Sequence, residues 1–158
     1  MDKGVNKLGL LWITKMLIGE YLHTIDSKKR LAIPSKFRKE IGRRLVITRG
    51  LDNCLFVFPT NQWGKLVEKL SKLPLGQKDT RGFVRLMLAG ASEVSLDQLG
   101  RILVPDYLKQ YACLKKNIVI AGVYNRLEIW DEAKWKFFKQ STEKEVDNMA
   151  ERLGELGV

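Results

Sequence analysis

Asp26 and Arg30 stand four residues apart ahead of Leu31-Ala32-Ile33-Pro34, and Asp97 and Arg101 repeat that spacing ahead of Ile102-Leu103-Val104-Pro105. An aspartate at the mouth of a tight turn accepts hydrogen bonds from backbone N–H groups two or three residues on. A turn fixed in this way holds the following arginine at a set angle. Its planar guanidinium can then grip a phosphate with two N–H groups or read the O6/N7 edge of guanine. The chemistry on offer is recognition, with Arg30 and Arg101 as base readers and Asp26, Asp97 and Gly100 as turn-formers. Lys28, Lys29, Lys36, Arg38, Arg43 and Arg44 are the expected anchors on backbone phosphates.

The charge distribution agrees with that chemistry. Formal net charge is +10, which suits nucleic acid or an anionic membrane surface without separating them. Residues 28 to 44 hold eight basic side chains with Glu40 the only acid, whereas residues 131 to 158 hold five basic and seven acidic ones. The basic run is therefore expected to sit on one part of the fold, where it would attract phosphate through counterion release.

Other chemistries find little support. The single histidine, His23, falls in a strand-like stretch and is read as a packing residue. No phosphate-binding glycine loop, Gly-x-Ser-x-Gly elbow or His/Cys metal spacing occurs, so no catalytic residue, metal or cofactor is expected. Cys54 and Cys113 lie in apolar contexts and are read as core thiols of a cytoplasmic protein. No apolar run reaches the roughly 18 residues that would span a bilayer. No effector pocket is legible.

The two Asp-x-x-x-Arg segments belong to a longer internal repeat. At an offset of 71, Phe37 aligns with Leu108, Ile41 with Ala112 and Ile47 with Ile118; at 72, Leu55 aligns with Leu127 and Trp63 with Trp135. Each copy reads as strand, turn, strand, short helix, strand, turn, strand, with Pro34 or Pro105 opening the helix and Gly42 closing the first one. Neither unit buries its own apolar face, so the two are expected to share one core. Helical spacing predicts further helices after Pro59, around Phe83 to Gly90, and from an Asp131 cap to Leu153. That last, highly charged helix could equally pack on a neighbouring subunit.

Gly19-Glu20-Tyr21-x-His23-Thr24-x-Asp26-x-Lys28-x-Arg30-Leu31-x-Ile33-Pro34, with Asp97-x-x-Gly100-Arg101-Ile102-x-Val104-Pro105 and Glu128-Ile129-Trp130, resembles the MraZ family of bacterial transcriptional regulators. The resemblance implies an α+β, β-rich fold: two tandem AbrB-like swapped-hairpin repeats interlocked in one β-barrel-like domain, with peripheral helices and a C-terminal helix. The corresponding boundaries are a leader at 1–15 and a single domain at 16–158. Within it lie repeat 1 at 16–63, a helical connector at 64–90, repeat 2 at 91–135 and the C-terminal helix at 136–158. The resemblance further implies ring-like self-assembly and sequence-specific binding of double-stranded DNA at short direct repeats upstream of the family's own division and cell-wall operon. That places the protein in the cytoplasm, at the nucleoid. The Asp-x-x-x-Arg loops would form the contacting edge, mapped here onto Lys28, Lys29, Arg30 and Arg101. An RNA-binding or oligomeric interaction module is the alternative.

Two features depart from the family pattern. Lys29 stands where the second copy has Gly100, so either Lys29 pays for a left-handed backbone or the first turn differs and Lys29 adds a phosphate contact. Family chains usually begin near Met16, which makes residues 1–15 an upstream start or an extension.

Overall fold

A computed structural model describes residues 16–158; the leader expected at residues 1–15 lies outside the described residues. A six-stranded antiparallel sheet contains β1 (Leu17–Thr24), β3 (Arg44–Arg49), β4 (Leu55–Pro59), β5 (Ser92–Ser95), β7 (Asn117–Tyr124) and β8 (Leu127–Asp131), in the order β1-β7-β8-β4-β3-β5. A separate two-stranded ladder joins β2 (Arg30–Ala32) to β6 (Arg101–Leu103).

The pairing runs between the repeats. β1 of the first copy pairs with β7 of the second, and β5 of the second pairs with β3 of the first. β2 and β6 pair with each other, Leu31 opposite Ile102. The expected barrel-like closure is not observed: the large sheet is open, with β1 and β5 at its two edges. After the Asp turns the chain enters β2 and β6, which bond one another over one sheet face and so leave the edges unjoined.

The strands' alternate residues build two cores. On one face Leu45, Ile47, Leu55, Val57, Ile118 and Ile120 pack beneath the β2–β6 ladder and two short helices, α1 (Ser35–Ile41) and α4 (Asp106–Tyr111). Phe37 and Leu108 are the anchors of those helices, both fully buried. On the other face Phe56, Phe58, Val119 and Trp130 meet α2 (Thr60–Ser71), α3 (Lys78–Val84) and the start of α5 (Glu132–Gly154). α3 runs on into a π-helical turn (Arg85–Ala89), in which the carbonyls of Met87 and Leu86 accept hydrogen bonds from Thr48 Oγ1 (2.6 Å) and Arg49 Nη1 (3.2 Å). Those bonds tie the segment between the repeats to β3.

The register corrects the repeat alignment. Leu45 faces Pro59 and Ile118 faces Asp131, so Ile118 is the counterpart of Leu45, and Ile47 matches Ile120 rather than Ile118. Two extra residues enter between α4 and β7. There Cys113 takes a positive φ (51°), as Gly42 (81°) does after α1. It is exposed, not a core thiol; only Cys54 is buried. Asp131 precedes α5 but does not cap it with its side chain, because its carboxylate accepts the Lys115 N–H (3.0 Å) instead.

β1 packs tightly against Gly122 of β7, where a Cβ would lie 2.7 Å from the Leu17 carbonyl carbon and 2.8 Å from the Ile18 nitrogen. Backbone cannot yield as a side chain does. Gly122→Ala should therefore cost about 1–3 kcal/mol of overpacking, measured as a lowered urea midpoint. An unchanged midpoint would show that the β1–β7 pairing is not this tight.

Candidate nucleic-acid interface

The two turns have the same geometry. Asp26 Oδ1 accepts the N–H groups of Lys28 (2.9 Å) and Arg30 (2.9 Å), and Oδ2 accepts Arg30 Nε (2.8 Å). Asp97 Oδ1 accepts from Leu99 (2.8 Å) and Arg101 (2.9 Å), and Oδ2 from Arg101 Nε (2.9 Å). The bonded N–H groups lie two and four residues on, not two and three. The N–H three residues on, from Lys29 or Gly100, goes to the aspartate's own carbonyl (3.0 Å in each). These donations, with that of the arginine N–H the largest, hold both carboxyls below the usual carboxylate range.

Lys29 and Gly100 are both left-handed, at φ 62° and 74°. The first turn thus keeps the shape of the second, with Lys29 in a conformation that favours glycine. Its ammonium pairs with Asp106 at the start of α4, so the expected extra phosphate contact begins from a neutralised lysine. The Lys29 carbonyl accepts the Val104 N–H (2.8 Å), and the Gly100 carbonyl accepts that of Ile33 (2.9 Å). Each turn is therefore stitched to the other repeat.

Leu31 and Ile102 point into the core, so the ladder's outer face carries Arg30, Ala32, Arg101 and Leu103. The arginine side chains are 34% and 26% exposed, with Nε held by the aspartate in each. Among the described residues those Nη groups make no hydrogen bond.

The basic residues do not gather as one patch. Lys28, Lys29 and Arg30 belong to the first turn, but α1 and β3 serve the second. Arg38 packs over Gly100, where a Cβ would lie 2.7 Å from the guanidinium carbon, and the Arg43 carbonyl accepts the Leu96 N–H (2.9 Å) just before Asp97. Arg44 pairs with Ser95. Lys36, Arg38, Arg43 and Arg44 are all exposed. Strand exchange has split the basic run between the two turns. It also supplies the first turn with a pair that sequence reasoning missed: Lys116 accepts the Ile25 N–H (3.0 Å), which sets Lys115 and Lys116 beside Asp26. Lys116 is the counterpart of Arg43, and that correspondence was the available signal. His23, half-buried on β1, has its pKa lowered by burial and then by Arg38.

Among the described residues, no cluster of His, Cys, Asp and Glu is placed to hold a metal, and no helix is long and apolar enough to cross a membrane.

The family model for the MraZ protein matches the chain twice, at residues 16–86 and 87–155. Proteins named "Transcriptional regulator MraZ" from Natranaerobius thermophilus, Clostridium tetani and Caldicellulosiruptor bescii are each 48% identical over 143 residues, covering 90% of this chain and 100% of the relative.

Two predictions follow from the turns. Gly100→Ala should destabilise by about 1–2 kcal/mol, the cost of a left-handed non-glycine residue, aggravated by Arg38. Lys29→Gly should leave the urea midpoint unchanged or raised, since relief of strain offsets an exposed ion pair; equal losses in both would refute the strain argument. For acid, the folded carboxyl pKa values are depressed, so their stabilisation is complete above the unfolded value of about 3.9. It is lost as pH falls from there through the lowered folded values. Wild type should therefore lose stability on acidification more steeply than an Asp26→Asn/Asp97→Asn variant, as read from urea midpoints. Matching pH slopes would remove these carboxylates as the cause.

Proposed function

Since the chain belongs to the MraZ family, we propose that it is a transcriptional regulator that reads double-stranded DNA with its two Asp-x-x-x-Arg turns. One observation carries this reading: each arginine is clamped at Nε by its aspartate while its Nη groups make no hydrogen bond among the described residues. Two Nη groups in a fixed plane match the O6 and N7 acceptors of guanine. The clamp adds little to stability, because exposed ion pairs contribute about 0–1 kcal/mol; aiming the guanidinium is its better explanation.

Arg30 and Arg101 read bases, and Lys28, Lys36, Arg38, Arg43 and Arg44 hold the phosphates. Lys115 and Lys116 join them. Lys29 contributes after release from Asp106. Asp26, Asp97 and Gly100 shape the turns. The exchanged strands support an AbrB-like swapped hairpin folded within one chain, a single interlocked domain. The protein acts without catalysis or cofactor, in the cytoplasm at the nucleoid, on direct repeats upstream of its own division and cell-wall operon. It assembles as a ring of copies, which turns several weak contacts into one avid one.

The test is a titration against duplex from upstream of the protein's own gene, with scrambled duplex and single-stranded RNA as competitors. Arg30→Ala and Arg101→Ala should each lose about 1–3 kcal/mol of sequence discrimination. Lys36→Ala should weaken both duplexes alike and shallow the salt dependence by about one ion. Equal affinity for both duplexes, unmoved by either arginine substitution, would overturn the reading. Preference for RNA would transfer the turns to that partner.

A further inference from the structure

Four side chains make up the outer face of the β2–β6 ladder, two of them arginines and two aliphatic. Arg30 stands directly across from Leu103, and Arg101 directly across from Ala32. The middle residues of the two strands, Leu31 and Ile102, fill the core, while Leu103 is left 58% exposed on the arginine side. Opposite side chains on one face of an antiparallel pair have Cβ atoms about 4.5–5.5 Å apart. Leu103 therefore stands beside the guanidinium that Asp26 holds at Nε (2.8 Å). The fold does not call for a leucine there. Ala32 occupies the matching place in the first repeat, and a methyl group suffices.

Duplex DNA offers an aliphatic side chain in that position one complement. In the major groove guanine, cytosine and adenine present hydrogen-bond donors and acceptors, and thymine alone adds a methyl group, at C5. Leucine packed on a phosphate or on a base-edge acceptor would displace water from a polar group and return no hydrogen bond. Packed on a methyl group it removes apolar surface of both partners from water. The spacing permits this contact. Base pairs follow one another at about 3.4 Å, so a side chain about 5 Å from a guanine-reading arginine reaches a neighbouring pair.

We propose that Leu103 is a specificity-determining residue, covering the C5 methyl of a thymine in a base pair that neighbours the guanine read by Arg30. The contact rests on the turn reading above and adds a second base to it. Ala32, beside Arg101, is too short to make the same contact. The first turn then selects guanine with a neighbouring thymine, and the second selects guanine without that requirement. A backbone of near two-fold symmetry thereby recognises an element that has a direction.

The experiment is a titration of the full chain against duplex from upstream of its own gene, with thymines replaced one at a time by deoxyuridine, which lacks only the C5 methyl. At one thymine, wild type should lose about three- to fivefold in affinity, the contribution of burying one methyl group. That thymine should neighbour a guanine whose replacement weakens wild type but not Arg30→Ala. Leu103→Ala should bind the thymine and uracil duplexes alike while keeping its preference for that guanine, which shows that the variant is folded. Leu103→Met, apolar and of similar reach, should recover part of the thymine preference. Wild type indifferent to every uracil replacement would overturn the proposal and leave the arginine reading standing. So would a thymine preference that survives Leu103→Ala, or a Leu103→Ala variant weakened equally on both duplexes. Loss of the guanine preference in Leu103→Ala would make Leu103 a scaffold residue and overturn the proposal as well. Binding without sequence preference, unmoved by Arg30→Ala, would overturn both readings.

Discussion

Each repeat contributes a first strand, β1 or β5, that is bonded only by the other repeat, and every later feature depends on that exchange. A β-strand left unpaired exposes a row of N–H and C=O groups that must find partners. Here β7 and β3 supply them, and the ladder between β2 and β6 repeats the exchange at the centre. Neither half can then complete its own sheet by itself. The shared core of Leu31, Ile33, Ile102 and Val104, all but inaccessible to solvent, lies where the two chain segments cross.

The exchange also decides how charge is presented. A continuous basic run in sequence becomes two separated groups in space, because α1 and β3 lie against the turn of the opposite repeat. The second turn, poor in basic residues of its own, is furnished by Arg38, Arg43 and Arg44, and the first by Lys115 and Lys116. Pseudo-symmetry in the backbone thus yields two more evenly charged turns than either repeat's sequence contains. The residual asymmetry is Lys29 against Gly100. Identical backbone geometry with different residues means that the hydrogen bonds of the Asp26 turn hold Lys29 in a conformation it would not choose.

The features legible in the sequence were those written locally. Asp-x-x-x-Arg followed by Ile-Pro or Val-Pro announces a turn, a strand and a helix start, and all three stand where the spacing put them. The repeat announces a shared core. What stayed hidden was non-local. Nothing in Tyr21 or Val94 says which strand will accept it, so exchange and edge could not be told from closure into a barrel. The alignment of Ile47 with Ile118 failed for a related reason: alternating apolar strands look alike when slid by two residues, and only the partner across the hairpin fixes the register. Cys113 misled because an apolar neighbourhood in sequence does not reveal a left-handed residue that turns its side chain outward.

The open sheet has a consequence that a closed barrel would not. Its two faces are free to carry different work, and the aromatic chemistry is placed accordingly. Trp130, Trp135 and Phe138 cluster with ring centres 5.2–5.8 Å apart on the face away from the turns, and Arg126 lies 4.4 Å over the Phe56 ring there. Large rigid rings supply contact area at small entropic cost, which suits protein surfaces that meet other proteins. The turn face has no such cluster at its ladder; its outer residues are Arg30, Ala32, Arg101 and Leu103. Guanidinium beside a lone aliphatic side chain suits a groove edge of polar acceptors and thymine methyls better than unstacked bases, which call for aromatic platforms. The want of an aromatic platform among the ladder's outer residues therefore favours, within the function proposed above, duplex DNA over single-stranded RNA at the turns.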